Sequence, residues 1–386
     1  LSARERIEWI ATALRVIRDH PIIGAGGGAW DALYHEYQRY GYYSTQVHGH
    51  YAQVAAETGI VGALALGLHS AIDFNLSLAA VSVALWALAG LLEAAGRRAG
   101  ARPQGEYRIL PRAAAYGLTA LAAAGVTSLL LGFTHGQRAV RALNAGRADE
   151  ARAQYERAVA YDPFTASFRV DLGQIYEAAA RQSGDAALLA RARQSLERGL
   201  ELEPHNANFH ALYGAFLLRS GELERGVAEL ERSVALHPYE IKRYEPLADA
   251  LVTVGVQLAG AGRRQEALPL LNRAVTLRAE LEARGAAVPP WVPQEWRLPA
   301  VTPRLALRWG QALAVLGDLP AAEEQLREAA GIPEAPLRAE AHLWLSRVLS
   351  RQGKKEEADN QLQKVKELDA AAAGQAEAID GLLAGG

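Results

Sequence analysis

The residues of this chain whose types could do chemistry lie near its start. Val47-His48-Gly49-His50-Tyr51-Ala52-Gln53 leads into Glu57-Thr58-Gly59-Ile60. Upstream stand Arg6-Ile7-Glu8-Trp9 and Asp19-His20-Pro21-Ile22-Ile23-Gly24-Ala25-Gly26, and downstream His69-Ser70-Ala71-Ile72-Asp73-Phe74-Asn75. An arginine fork such as that of Arg6 pairs with phosphate oxygens, and a histidine or carboxylate can take a proton. On residue type alone Arg6 equally reads as a solvated helix charge and His48 as a loop histidine. His69 and Asp73 are four apart, so on a helix they share a face and could simply pair with each other. His48, His50, His69 and Asp73 form no closed tetrahedral ligand set, and His-x-His is a weak metal signature, so no metal is expected. Gly24-x-Gly26-x-Gly28 superficially matches a nucleotide fingerprint. It follows a helix and His20-Pro21 rather than a strand, and no βαβ frame surrounds it, so no nucleotide cofactor is expected.

The elements that must position these groups are helical. The 386 residues are rich in Ala and Leu, with 7% aromatic content, a balance that favours helices over sheets. A net charge of -2 and a pI near 6.6 give no basic excess, so a nucleic-acid partner is not expected. There is no Cys, which excludes disulfides and thiolate ligands, and no Met, for which there is no physical account. Trp9, Ala13, Leu14 and Ile17 recur at helical spacing and predict an amphipathic first helix. Pro21 should end it, and Gly24 to Gly28 read as a turn. Tyr34, Tyr37, Tyr40, Tyr42 and Tyr43 form an aromatic surface. Two uncharged runs come next, Leu76 to Leu92 and Ala113 to Phe133, each near the roughly 17–25 residues that cross a bilayer. Arg97, Arg98, Arg102, Arg108 and Arg112 between them place that loop in the cytoplasm.

From Gly136 onward the pattern is a helical repeat. Ala151, Tyr155 and Ala158 fit the second helix of one tetratricopeptide unit. Five more units are marked by Leu172-Gly173, Tyr213-Gly214, Leu247-Ala248, Trp309-Gly310 and Leu345-Ser346. Pro204 to Pro238 spans 34 residues, the expected period. Between the two small-residue anchors the second and fourth units span 19 residues, where the fifth and sixth span 12, so longer helices are expected there. Residues 280–304, rich in Pro and Trp, predict a break in the array and a semi-rigid connector.

The quoted motifs together resemble the large extracytoplasmic loop of the bacterial O-antigen ligase/polymerase family. These are membrane enzymes that move a glycan off a polyprenyl-diphosphate carrier without a metal. The resemblance implies that Arg6 holds the leaving diphosphate, that His48 acts as base or positions the acceptor, and that the tyrosines seat sugar rings. Glu57, His69 and Asp73 are implied as supporting residues. Trp9 and Ile10 are exchanged relative to the family pattern, and Gly49 stands where the family has Asn. In the family, Glu-Thr-Gly-Ile opens a membrane helix, and a second one returns before the His-Ser-x-x-Asp-Phe element. Only residues 61–68 separate those elements here, which predicts an internal deletion of one helical hairpin. The resemblance covers residues 1–95 and lacks the family's preceding membrane helices, so the chain is expected to be a fragment that does not catalyse alone.

The fold expectation is therefore all-α: an N-terminal helical loop unit, one or two membrane-spanning helices, and a C-terminal tetratricopeptide solenoid. The expected boundaries are 1–68 for the loop, 69–135 for the membrane helices and 136–280 for the first repeats. A connector at 281–304, further repeats at 305–370 and a tail at 371–386 complete the chain. The expected function is part of a glycosyltransferase that takes a lipid-linked glycan donor to a glycan or lipid acceptor, its repeats recruiting a protein or peptide. The alternative is a membrane-tethered repeat scaffold without catalysis. The expected location is the bacterial cytoplasmic membrane, with loop and repeats on the extracytoplasmic side.

Overall fold

The computed structural model describes residues 3–47, 49–72, 112–293, 297 and 301–384. All regular structure among them is helical. Three helices open the chain: α1 (Ala3–Asp19), α2 (Ala29–Tyr37) and α3 (His50–Ile72). Six antiparallel helix pairs come after them. They are α4 (Arg112–Asn144) with α5 (Ala148–Tyr161), α6 (Ala166–Ser183) with α7 (Ala186–Leu202), and α8 (Ala207–Arg219) with α9 (Leu223–Leu236). Next come α10 (Tyr244–Gly260) with α11 (Arg264–Ala286), α12 (Pro303–Leu316) with α13 (Leu319–Ala329), and α14 (Ala335–Arg351) with α15 (Lys355–Leu368). A short α16 (Ala376–Ala384) ends the described chain.

Each pair forms for local reasons. A glycine at positive φ turns the chain between the two helices every time: Gly146, Gly184, Gly221, Gly262, Gly317 and Gly353. Small residues then let the helices approach closely. A Cβ on Gly173 would stand 2.8 Å from Leu196 Cγ, and one on Gly310 2.6 Å from Leu326 Cγ. The anchors read from the sequence, among them Ala151, Tyr155, Leu196, Leu217, Leu271, Trp309 and Leu345, are buried. The second unit lengthens its helices as expected, with 18 residues in α6 and 17 in α7 against 13 in α8. The fourth carries no such extension between its anchors, because the small residue that meets its second helix is Gly255 rather than Ala248, with a Cβ there 2.8 Å from Leu271 Cγ.

By packing, the chain forms two compact units. One comprises residues 1–31 and 45–202, the other residues 32–44 and 203–386. In the second unit α10 packs against α12, so the stack continues across the Pro/Trp-rich segment. Helix α11 runs on to Ala286 inside the expected connector. Beyond it Val288 and Val292 are buried, and Arg297 donates to the carbonyl of Val292. The expected tail is a capping helix. In α16, Ile379 and Leu383 bury against the stack, and Asp380 accepts from Arg347 Nε at 2.9 Å.

The membrane-spanning expectation is corrected for the second apolar run. Among the described residues no helix is long and apolar enough to cross a membrane. The run is not a separate element but the first part of the 33-residue α4, which continues through Arg138 and Arg141. From Ser128 onward α4 is committed to the first repeat. The Ser128 hydroxyl donates to the Tyr161 carbonyl at 2.6 Å, and His135 Nδ1 lies 2.7 Å from Gln154 Oε1. What remains from Ala113 is about fifteen residues, short of the roughly 17–25 needed. The first run, Leu76 to Leu92, and the arginines at 97–108 lie outside the described residues.

Candidate functional site

In the first unit, α1 packs on α3, so the helices that carry Arg6 and Glu57 are neighbours. The buried stripe of α1 is Trp9, Thr12, Ala13 and Val16. Leu14, expected inside, is exposed, and with Ile7 and Ile10 it forms an apolar outer stripe at helical spacing. Arg15 is tied down by Glu8 at 2.8 Å and Thr12 at 2.7 Å. Arg6 is exposed and makes no ion pair among the described residues.

The turn after α1 is locked to α3 by its backbone. Ala25 N–H donates to Ala56 O and Gly26 N–H to Glu57 O, both at 2.9 Å. In return Ile60 N–H donates to Pro21 O at 2.9 Å and Val61 N–H to Ile22 O at 3.3 Å. These bonds require α3 to kink, and it does so at Gly59, whose φ is 68° and ψ -168°. Only glycine tolerates the contact: a Cβ there would stand 2.2 Å from Ile22 O. A Cβ on Gly24 would stand 2.3 Å from Glu57 C. Within the Gly-x-Gly-x-Gly run Gly24 is the residue packed against α3, while a Cβ on Gly26 or Gly28 would meet nothing within 4 Å. Ile22, Ile60 and Val61, joined by these bonds, and the adjacent Ile23 are all exposed.

Position 48 lies outside the described residues, but both its neighbours are fixed by Gln53. The buried Val47 N–H donates to Gln53 Oε1 at 3.4 Å, and Gln53 N–H donates to Gly49 O at 3.0 Å. Gln53 Nε2 also donates to Glu57 Oε1 at 3.2 Å. Gln53 thus ties Val47, Gly49 and Glu57 together, a link that its spacing did not disclose. His69 falls on α3, its side chain undescribed, and Asp73 lies outside the described residues. Arg6 and Glu57 make no contact with each other among the described residues. No group of three or more potential metal ligands comes together among them either.

The tyrosines do not form an open platform. Tyr34, Tyr40 and Tyr42 are buried; Tyr43 is 76% exposed. Residues 32–44 pack in the second unit against the third repeat, formed by α8, α9 and the turn Ile241–Arg243. The His35 and His237 rings lie 3.9 Å apart, and the Tyr34 ring lies 3.9 Å from His35 on the same segment. Glu36 pairs with Arg232 at 3.4 Å and with His205 at 3.8 Å. The Tyr239 hydroxyl donates to the Arg39 carbonyl. Tyr40 meets the edge of Trp291 at 5.5 Å and 86°. Burial, and after it the neighbouring His237, pushes the His35 pKa down to about 3. A hydrogen bond from His237 is the main reason Glu240 is held down to about 2.

Among the described residues each unit's repeats carry a concave surface. In the first unit a cavity of about 580 Å³ is lined by Arg169, Tyr176, Arg191, Arg198 and Glu201. Arg198 is paired with Glu201 at 2.6 Å. Burial and Arg198 lower the Arg169 pKa from its ordinary value. In the second unit Leu218, Leu223, Pro246 and Val254 line a largely apolar groove of about 550 Å³.

Comparison with known proteins divides the chain along similar lines. A family model described as O-antigen ligase matches residues 1–67. A tetratricopeptide-repeat model matches residues 137–194, 185–241 and 307–378. Among curated proteins none matches. Similar solved structures include that of Pseudomonas aeruginosa pilF, at 16% identity and TM-score 0.44, covering 65% of this chain and 99% of that one. PilW, described as a widely conserved type IV pilus biogenesis factor, has 16% identity and TM-score 0.41, covering 61% of this chain and 92% of that one. YrrB, described as a repeat protein with an unusual peptide-binding site, has 17% identity and TM-score 0.38, covering 58% and 97%. The chain is thus similar to O-antigen ligases over residues 1–67 and to tetratricopeptide-repeat proteins over most of residues 137–378.

Proposed function

We propose that this chain is the loop-and-repeat part of an O-antigen ligase-like glycan transferase of the bacterial envelope. In this reading Arg6 holds the diphosphate of a polyprenyl-linked donor, and His48 takes the proton of the acceptor hydroxyl. Glu57 supports the loop through Gln53. The repeats recruit a protein or peptide partner. The observation that carries the reading is the O-antigen ligase match over residues 1–67, on a segment whose arginine is exposed and unpaired among the described residues. The exposed rim of Ile22, Ile23, Ile60 and Val61 supports it, because a lipid-linked donor requires an apolar boundary beside the site. His69 and Asp73 are assigned the same supporting role as Glu57.

Binding to vesicles that carry a polyprenyl-diphosphate-linked oligosaccharide tests the assignment. The chain should bind these more tightly than carrier-free vesicles. Arg6→Ala should cost about tenfold, the loss of a charge-assisted hydrogen bond worth roughly 1.5 kcal/mol. His48→Ala should leave donor binding intact. Equal binding to both vesicles, or an Arg6→Ala variant with undiminished affinity, would sink the reading. A repeat scaffold without catalysis is the second reading, favoured by the arginine-lined cavity of the first unit. Capture of an acidic peptide there, with no preference for the lipid-linked donor, would decide for it.

A further inference from the structure

Residues 32–44 leave the N-terminal loop and occupy a face of the third repeat, and the chemistry at their centre is unusual for a structural contact. Two imidazoles, His35 and His237, lie ring against ring at 3.9 Å. Gln38 Nε2 lies 3.4 Å from His35 Nδ1, an arrangement in which the neutral ring accepts. The groups facing His35 across the contact are His237, Glu240 and Arg243, with only Glu240 favouring a positive charge on it. Arg243 is itself committed to Glu240 at 2.7 Å. Two imidazolium rings at this separation would repel with little solvent between them.

We propose that residues 32–44 form an acid-released strap: protonation of the closely apposed His35–His237 pair detaches the segment from the third repeat and uncovers Tyr34, Tyr40 and the repeat face beneath them. The direction is set by the folded geometry. Docked, His35 is held down to about 3, against an ordinary 6.5, so it stays neutral where a released segment would protonate. Docking is at full strength above pH 6.5 and weakens as pH falls toward 3. Glu240, held at about 2 by His237 and Arg243 of its own repeat, keeps those partners on release and so adds nothing to the pH dependence of docking. Glu36 with His205 works in the opposite sense, since a protonated His205 attracts Glu36. That pair is 3.8 Å apart with His205 39% exposed, so solvent screens it. The strap is independent of whether the chain transfers glycans.

Amide hydrogen exchange on the full chain between pH 7.5 and 4.5, corrected for intrinsic exchange, tests this. Opening of residues 32–44 should rise about tenfold per pH unit below 6.5, the slope of one proton taken up on release. Amides of α12 to α14 should keep their protection over the same range. His35→Phe keeps a ring against His237 and should flatten the profile. If that variant stays open at every pH, His35→Leu, which also removes the titrating ring, is the second arm and should flatten it too. If both stay open, the slope in the unaltered chain decides. A flat profile in the unaltered chain overturns the proposal. So does an unchanged slope in a variant that docks, or loss of protection in α12 to α14 at the same pH.

Discussion

At Gly59 the whole N-terminal turn depends on the absence of one methyl group. Its φ of 68° and ψ of -168° lie in a region open essentially to glycine alone. The Ile22 carbonyl stands where a Cβ would go. Gly59→Ala should therefore cost about 1–3 kcal/mol from backbone strain alone. Exchange of the Ala25, Gly26, Ile60 and Val61 amides should accelerate with it. Gly27→Ala, where an added Cβ meets nothing within 4 Å, is the control and should stay within about 0.5 kcal/mol. Equal effects at the two positions would refute the account. The motif Glu57-Thr58-Gly59-Ile60 is legible in the sequence as a family mark. Why it needs its glycine is not, because the carbonyl that excludes a side chain comes from Ile22, on the other side of a turn and a helix.

At the scale of the element, the repeats and their ends behave differently. Each helix pair is closed by its own glycine turn and its own small-residue contact, so the pattern that predicts it is contained within a few tens of residues. That locality made six pairs readable from anchors such as Tyr155, Leu217 and Leu345. It gave no warning about α16, whose nine residues carry no period of their own and are helical because Ile379 and Leu383 bury against earlier helices. Ile379→Ala should cost about 2–5 kcal/mol. The damage should fall on α14, α10 and α12, against which α16 packs, and spare α6 and α7. Site-resolved exchange would show this, and uniform loss across the array would contradict it. The apolar run in α4 misled for the complementary reason. Its composition is that of a lipid-facing helix, but from Ser128 onward it is used by the first repeat.

At the scale of the molecule, the contact that matters most was the least legible. Glu36 meets Arg232 from 196 residues away, and Arg39 meets Tyr239 from 200. No periodicity relates positions so far apart, and tyrosines at 34, 40 and 42 read as well for a sugar platform as for a buried contact. The packing shows the second. Tyr40 against Trp291 should contribute about 0.5–1.5 kcal/mol beyond the area both bury. A double-mutant cycle of Tyr40→Leu and Trp291→Leu, read by opening of residues 32–44, measures that coupling. A coupling near zero would show the two rings to be neighbours only.

That long separation also sets an order of events at birth. Ribosomes extend a chain at about 5–20 residues per second, so a span of about 200 residues takes roughly 10–40 seconds. For that interval Tyr34, Tyr40 and Tyr42 exist without the third repeat that will cover them. Trp291 is made later still. The aromatic residues of the loop are thus made about 200 residues before the repeat that shelters them. A nascent chain stalled before residue 203 would present them to any chaperone that reads exposed aromatic segments.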